Sequence, residues 1–337
     1  MRIMTAVAMF LGIAGTALAQ ESLRDLPTRL ELADVEAQDQ KKQPAQEEMK
    51  VPGTTLRDEQ REGPYNQPVW TEHRPSPVTR IYLQVLPGGA EYEQWAEIRI
   101  RRHRDGPNDS RTQVRFQEEF EFGLGGRFQL DMYARETYEA GGPNSTLEIR
   151  GWSAELRYAL ADWGVIPANP TLYLEYIVWN HKGGEEDADP ASSNIEGKLL
   201  FGDEMMPNLH WGLNLAHERT LGGRSVSIYE NVISGTLMYT IVDGLLSGGL
   251  AVQGVYEADR DYRPGGFGYE RTRELYIGPS IQLRMAYREL ETDVIENGKK
   301  TKVTVRKPRA HVDIEPLVGI GPESKRAKIF LVFGWDF

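Results

Sequence analysis

From about residue 91 onward, apolar and polar positions alternate along the chain. Val114, Phe116, Phe120 and Phe122 share one parity, and Arg115, Gln117, Glu119 and Glu121 occupy the other. After Gly125-Gly126 the pattern resumes, with Phe128, Leu130, Met132 and Ala134 set against Gln129, Asp131, Tyr133 and Arg135. A period of two over this length predicts strands, and a short glycine turn between two such runs predicts a hairpin. The alternation recurs through 154–160, 172–178, 195–201, 209–215, 229–241, 250–256, 275–285, 312–320 and 329–337. With Ala96, Ile98 and Ile100 at the front, twelve strands are predicted, and ten to fourteen are compatible with the ambiguous segments. A one-residue phase change at Gly151-Trp152 predicts a β-bulge, since an extra residue on one strand shifts its facing by one.

The connections alternate in character. Segments 124–127, 203–208 and 243–247 are short, whereas 102–110, 182–193 and 258–271 are long and hydrophilic. Short turns at one end and long loops at the other are the mark of an up-and-down transmembrane barrel. The charged stretch 288–302 on the short side predicts an extended hairpin projecting from that end. Residues 79–86 alternate weakly; counting them as a strand would give thirteen and put the N-terminus outside, so they are left as periplasmic or as an edge extension. Trp152, Trp179, Trp211, Trp335, Tyr229 and Tyr239 fall near strand ends, where interfacial aromatic girdles lie.

Before the barrel the chain reads differently. Residues 1–19 have the form of a cleaved signal peptide: Arg2, an apolar Ala6–Ala14, then Ala17-Leu18-Ala19. Residues 20–78 are polar, with sparse large apolar side chains and no sustained period, which predicts a disordered periplasmic segment. A plain linker is favoured there over a folded plug, and a periplasmic partner for the segment is left open. The barrel domain is expected over 79–337.

Composition narrows the chemistry. The chain has no cysteine, so neither disulfides nor thiolate metal sites are available. Mean hydropathy is -0.50, and beyond the signal no apolar run reaches the roughly 18 residues of a spanning helix. Strands escape that test because alternation averages out. The net charge of -11 argues against a nucleic-acid partner.

The ending Ile329-Phe330-Leu331-Val332-Phe333-Gly334-Trp335-Asp336-Phe337 resembles the C-terminal signal strand of bacterial outer-membrane β-barrels. The resemblance implies an outer-membrane location, contact with outer-membrane lipid and lipopolysaccharide, and recognition by the barrel-assembly machinery through Phe333, Trp335 and Phe337. The segments Phe120–Leu130 and Pro170–Tyr176 resemble the transporter-like barrels associated with the meta-pathway of phenol degradation. That resemblance implies transport of small organic compounds and brings no catalytic residues and no cofactor.

With the apolar face outward, the other face lines the lumen. Its candidates are Glu119, Glu121, Asp131, Arg115, Arg135, Glu148, Arg150, Glu155, Arg157, Asp313 and Glu315, and acids outnumber bases on the inward face as a whole. Two readings stand side by side. One is a narrow acid-lined pore or transporter that passes small solutes and favours cations, as rings of carboxylates do. The other is a salt-bridged filling in a non-conducting structural or surface-interaction barrel. An outer-membrane hydrolase is the weaker third reading. His311 and Asp313 share a face and form a general-base pair in principle, yet no nucleophile joins them in sequence. The acidic loop 183–189 lacks the spacing of a defined calcium loop, so no metal ion and no cofactor are expected.

Overall fold

The computed structural model describes residues 49–55, 57–73, 75–100, 112–140, 147–179, 193–221, 229–263, 266–296 and 299–337. The first elements are β1 (Met49–Thr55), β2 (Arg61–Glu62), β3 (Gln67–Pro68) and a 3-10 turn (Val69–Glu72). The wall begins with β4 (Ala90–Ile100), β5 (Thr112–Gly125), β6 (Phe128–Ala140), β7 (Leu147–Ala159), β8 (Thr171–Trp179) and β9 (Ser193–Met206). It continues with β10 (Leu209–Leu221), β11 (Tyr229–Val242), β12 (Leu246–Arg263) and β13 (Gly266–Met285). A hairpin, β14 (Arg288–Glu296) and β15 (Lys299–Lys307), precedes the last two wall strands, β16 (Ala310–Gly319) and β17 (Ala327–Asp336).

Twelve strands, β4 to β13 with β16 and β17, close into one antiparallel barrel, and β17 pairs back onto β4. Neighbours follow chain order, as short connections dictate. The excursion β14–β15 joins the N-terminal elements in a five-stranded sheet ordered β1-β15-β14-β2-β3. The barrel starts and finishes at one end, where Glu91 faces Asp336 and the Phe337 amide donates to the Ala90 carbonyl. This proximal end also carries the tight turns of the β5–β6, β9–β10 and β11–β12 hairpins and the β14–β15 excursion.

Alternation sorts the side chains as the sequence pattern requires. On β11, Ile233, Leu237, Tyr239 and Ile241 are exposed outward, whereas Ser234, Thr236, Met238 and Thr240 are buried within. The same division puts Leu172 and Leu174, Leu250 and Val252, Ile277 and Ile281, and Leu331 and Phe333 on the outer surface. A continuous apolar band of this extent has no place on a protein surrounded by water. The register shift between Arg135 and Glu136 lies opposite Gly151, which is the bulge that the phase change predicts. A Cβ there would sit 2.7 Å from the Val178 carbonyl oxygen, so glycine is required by the approach of the next strand.

Three expectations need correction. The stretch 258–271 is not a loop: β12 and β13 pair out to Arg263 and Gly266. Its hydrophilic residues concealed a ladder because strands extending past the apolar band need no apolar face. Residues 57–73 and 75–78 are not disordered but folded, packed against the β14–β15 hairpin and the proximal end of the barrel, and residues 79–86 are not an edge strand but lie inside the barrel. The wall itself begins at Ala90, not at residue 79. The tail gave no periodic signal because it is irregular chain that buries single side chains against a surrounding wall. The expected signal peptide, the acidic loop 183–189 and the segment before residue 49 lie outside the described residues.

Candidate functional site: the occupied lumen

Residues 57–89 form a tail that enters the lumen from the proximal end and returns to it before β4, and successive polar contacts tie it to the wall. At the proximal end Asp58 accepts from Arg284 Nη1 at 2.8 Å, from Thr240 Oγ1 at 2.8 Å and from the Gly244 amide at 2.9 Å. The 3-10 turn brings in Trp70. Its ring stacks on His210 with centroids 4.2 Å apart, meets Trp163 edge-on at 5.5 Å, and its Nε1 donates to Glu204 at 3.2 Å.

Where the tail meets the β14–β15 hairpin, Lys307 is ion-paired with both Glu62 and Glu72. Thr292 Oγ1 adds a hydrogen bond to Glu62 at 3.1 Å. Burial alone would push Glu62 upward, but Lys307 and hydrogen bonds from Glu72, Lys307 and Thr292 outweigh it and hold Glu62 below the ordinary carboxylate range. Burial, reinforced by the adjacent Glu62 charge, pushes Glu72 well above that range.

Further along, the tail is extended and pairs with wall side chains as it would with a strand. The Arg80 amide donates to Asn214 Oδ1 at 2.7 Å, and Asn214 Nδ2 donates back to the Arg80 carbonyl at 2.5 Å. The amides of Gln84 and Val85 both donate to Gln129 Oε1, at 2.8 and 3.1 Å. Buried backbone groups are thereby satisfied without a ladder. Ile81, Tyr82 and Leu83 pack with Tyr65, Trp70, Ala159 and Trp163 in an apolar cluster, and none of those three tail residues is more than 1% exposed.

The Arg80 guanidinium enters the densest charge cluster. It lies 2.7 Å from Glu119, 3.3 Å from Asp131 and 3.3 Å from Glu155, and all three carboxylates are fully buried. Arg157 pairs with Asp131 and Glu155 from the wall side and donates to Gln84 Oε1 of the tail at 2.5 Å. Gln129 Nε2 bridges Glu121 at 2.8 Å and Asp131 at 2.9 Å. Buried charges of one sign need compensation, and the tail supplies part of it here.

The wall is cut to fit the tail. A Cβ on Gly123 would lie 2.1 Å from the Leu86 carbonyl oxygen, one on Gly202 2.6 Å from Ile81 Cγ2, and one on Gly212 2.8 Å from Thr79 Cγ2. Glycine within a strand marks close approach of another backbone. These glycines were the one sequence signal for a lumenal occupant.

The predicted lumen set divides accordingly. Glu119, Glu121, Asp131, Glu155 and Arg157 face inward but are buried under the tail. Arg135 faces inward and pairs with Glu175 at 2.5 Å. Arg115 sits opposite Glu97 and is exposed. Asp313 and Glu315 are buried near the proximal end. Glu148 and Arg150 lie on β7, with side chains outside the described set. Of the terminal aromatics, Phe333 points outward, Trp335 is half-buried and Phe337 is exposed beyond the last strand. Asp58 and Trp70 were missed because residues 20–78 read as linker, and Arg80 and Gln84 because 79–86 alternates too weakly to declare a lumenal segment.

Beyond the Arg80 cluster, toward the distal end, the lumen opens into a cavity of about 190 Å³. Four acids, Glu97, Glu230, Glu257 and Glu274, line it with three bases, Arg99, Lys325 and Lys328. Arg99 grips Glu97 through two bonds of 2.7 and 2.8 Å, and Lys325 and Lys328 approach Glu274 at 3.4 and 3.6 Å.

No protein-family model matches the chain, and no curated protein does. Among solved structures, an outer membrane channel from Pseudomonas putida F1 superposes with a TM-score of 0.52 at 9% identity, over 75% of this chain and 97% of that one. The toluene transporter TbuX of Ralstonia pickettii gives 0.31 at 9% identity, over 84% and 98% of the two chains, a score too low to carry an argument. Nothing in these comparisons bears on the resemblance to barrels of the phenol meta-pathway. The chain shares its closed-barrel fold with an outer-membrane channel, at an identity that speaks to the fold alone.

Proposed function

We propose that the chain is an outer-membrane channel for small polar solutes whose own tail, residues 57–89, holds it closed. The observation that carries this reading is the separateness of tail and wall. The wall is a complete barrel without the tail, and the tail is tied to it chiefly by side chains, with direct backbone bonds from Trp163 to the Tyr65 carbonyl and between Gly123 and Gly88-Gly89 at the proximal end. A twelve-strand barrel is wider than the eight-strand barrels that side chains alone can fill. The outward apolar band fits a bilayer, with the proximal end on the periplasmic side.

A cation preference would arise at the distal cavity, where four acids meet three bases. It would not arise at Glu119, Asp131 and Glu155, which are buried under the tail and ion-paired with Arg80 and Arg157. Transport of small organic compounds is supported by the sequence resemblance of 120–130 and 170–176.

The test is conductance in a planar bilayer, comparing the full mature chain with its Arg80→Gln variant. A silent or rarely conducting wild type and discrete steps in the variant are expected. A folded barrel that stays silent in both, and also after proteolytic removal of the tail, would favour the structural, non-conducting barrel.

A further inference from the structure

Near the proximal rim three side chains converge that the channel reading does not use. His73 comes from the tail, Glu91 from the first residues of β4 and His311 from the start of β16. One ligand atom from each lies within 4.8 Å of the other two. All three residues are buried, none more than 3% exposed.

We propose that His73, Glu91 and His311 form a binding site for one divalent transition-metal ion of the zinc class, which clamps the tail to the barrel wall.

His311 is already oriented as a metal ligand would be. Its Nδ1 lies 3.0 Å from Asp313 Oδ2, while Nε2 lies 2.9 Å from Glu91 Oε1 and 3.4 Å from Glu93 Oε1. A carboxylate on the far nitrogen fixes the tautomer and aims the near one, as in histidines that bind metal. The wall makes room for that nitrogen: a Cβ on Gly334 would fall 1.8 Å from His311 Nε2.

A charged His311 between Glu91 and Asp313 would account for those contacts without an ion. It would not account for His73. The His73 ring sits 5.0 Å from that of His311, centroid to centroid, and its Nδ1 has no hydrogen-bond partner although the residue is 3% exposed. Buried polar atoms are rarely left unsatisfied, and an unplaced ion is one established reason when they are.

The donor types choose the metal class. Two imidazoles and a carboxylate suit zinc and its borderline neighbours, whereas magnesium and calcium take oxygen ligands. Entry would be from the proximal rim, because Glu91 faces Asp336, the last residue of β17. The two ends of the site belong to tail and wall, so an ion there would resist withdrawal of the tail.

The experiment is metal binding to the full mature chain in detergent, after stripping with a chelator, read by Co²⁺ ligand-field absorption and competition with Zn²⁺. One ion per chain is expected, displaced by Zn²⁺ and not by Mg²⁺. His73→Ala should weaken binding at least about tenfold, the scale of losing a ligand or its support. Bound Zn²⁺ should slow proteolysis of the tail in the wild type and not in His73→Ala. His311→Ala is the companion variant. Should it fail to give the heat-resistant folded form on a gel, His73→Ala decides alone, since His73 is not part of the wall. Absence of stoichiometric binding to the folded chain, or wild-type affinity in His73→Ala, overturns the proposal. No current is measured, so its failure and that of the channel reading are separate results.

Discussion

Arg284 of β13 holds the Asp58 carboxylate of the tail through both terminal guanidinium nitrogens, and each side chain is only 1% exposed. Truncating one partner of a buried pair strands the other charge, at a cost of about 3–5 kcal/mol. Asp58→Ala should therefore loosen the tail and expose residues 57–78 to protease. The double variant Asp58→Ala with Arg284→Met should recover much of the protection, since the uncompensated guanidinium is gone. Protection in Asp58→Ala equal to wild type would show that the pair does not anchor the tail.

A wall substitution should displace the tail without touching it. Gly202→Val places carbon where Ile81 Cγ2 already lies 2.6 Å from the position of a Cβ. Crowding of a packed site typically costs about 1–3 kcal/mol. The expected result is faster tail proteolysis with an intact barrel, checked by the heat-resistant folded band. Gly235, whose nearest neighbours are 3.5 and 3.6 Å from a built Cβ, is the control: Gly235→Ala should leave the tail in place.

The seam between tail and hairpin should weaken in alkali. Glu72 has its folded value raised above the ordinary 4.5, so the stability it lends is complete below about pH 4.5 and is lost as pH rises through the folded value. Glu62 is lowered, so its share is present above about pH 4.5 and is lost as pH falls through its folded value. Tail protection measured between pH 5 and 9 should fall with rising pH, by at most about 1.4 kcal/mol per unit for one proton. Glu72→Gln, permanently neutral, should flatten that profile. An equally steep profile in the variant would mean that another group titrates.

Selectivity, once the tail is out, should follow the distal cavity. Neutralising Glu230, Glu257 and Glu274 together leaves Glu97 against Arg99, Lys325 and Lys328. The reversal potential in a salt gradient should shift toward anions. Neutralising Glu119, Glu121 and Asp131 instead should act mainly on tail release, because Glu155 is then the one carboxylate left in the cluster to pair with Arg80 and Arg157.

Phe337 is exposed beyond the final strand, 61% accessible. If it serves the assembly machinery as the terminal resemblance implies, Phe337→Ala should lower the yield of folded barrel in cells while leaving detergent refolding unchanged. Equal loss in both settings would assign it a packing role instead.

Much of the wall was legible because a barrel strand declares itself locally. A residue such as Ile233 or Leu237 faces outward whatever its neighbours do, and the period of two records that facing residue by residue. Gly151 announced its bulge in the same way, as a break in phase. The ends of β12 and β13 were misread because their outer portions leave the apolar band, where facing no longer selects residue type. The tail was misread for a different reason. Ile81, Tyr82 and Leu83 are consecutive and all buried, since an extended chain enclosed on every side has no polar face, and so no period betrays it.

Local pattern was enough for the class of the fold: twelve alternating segments, their turns, and the sorting of apolar residues outward and charged residues inward, because each depends on backbone geometry within a few residues. What fills the interior followed from the folded arrangement alone. Whether Glu119, Asp131 and Glu155 line water or grip Arg80, and whether His73 meets His311, depends on contacts between segments far apart in the chain, and burial inside a closed barrel, not local pattern, sets the energy of those contacts.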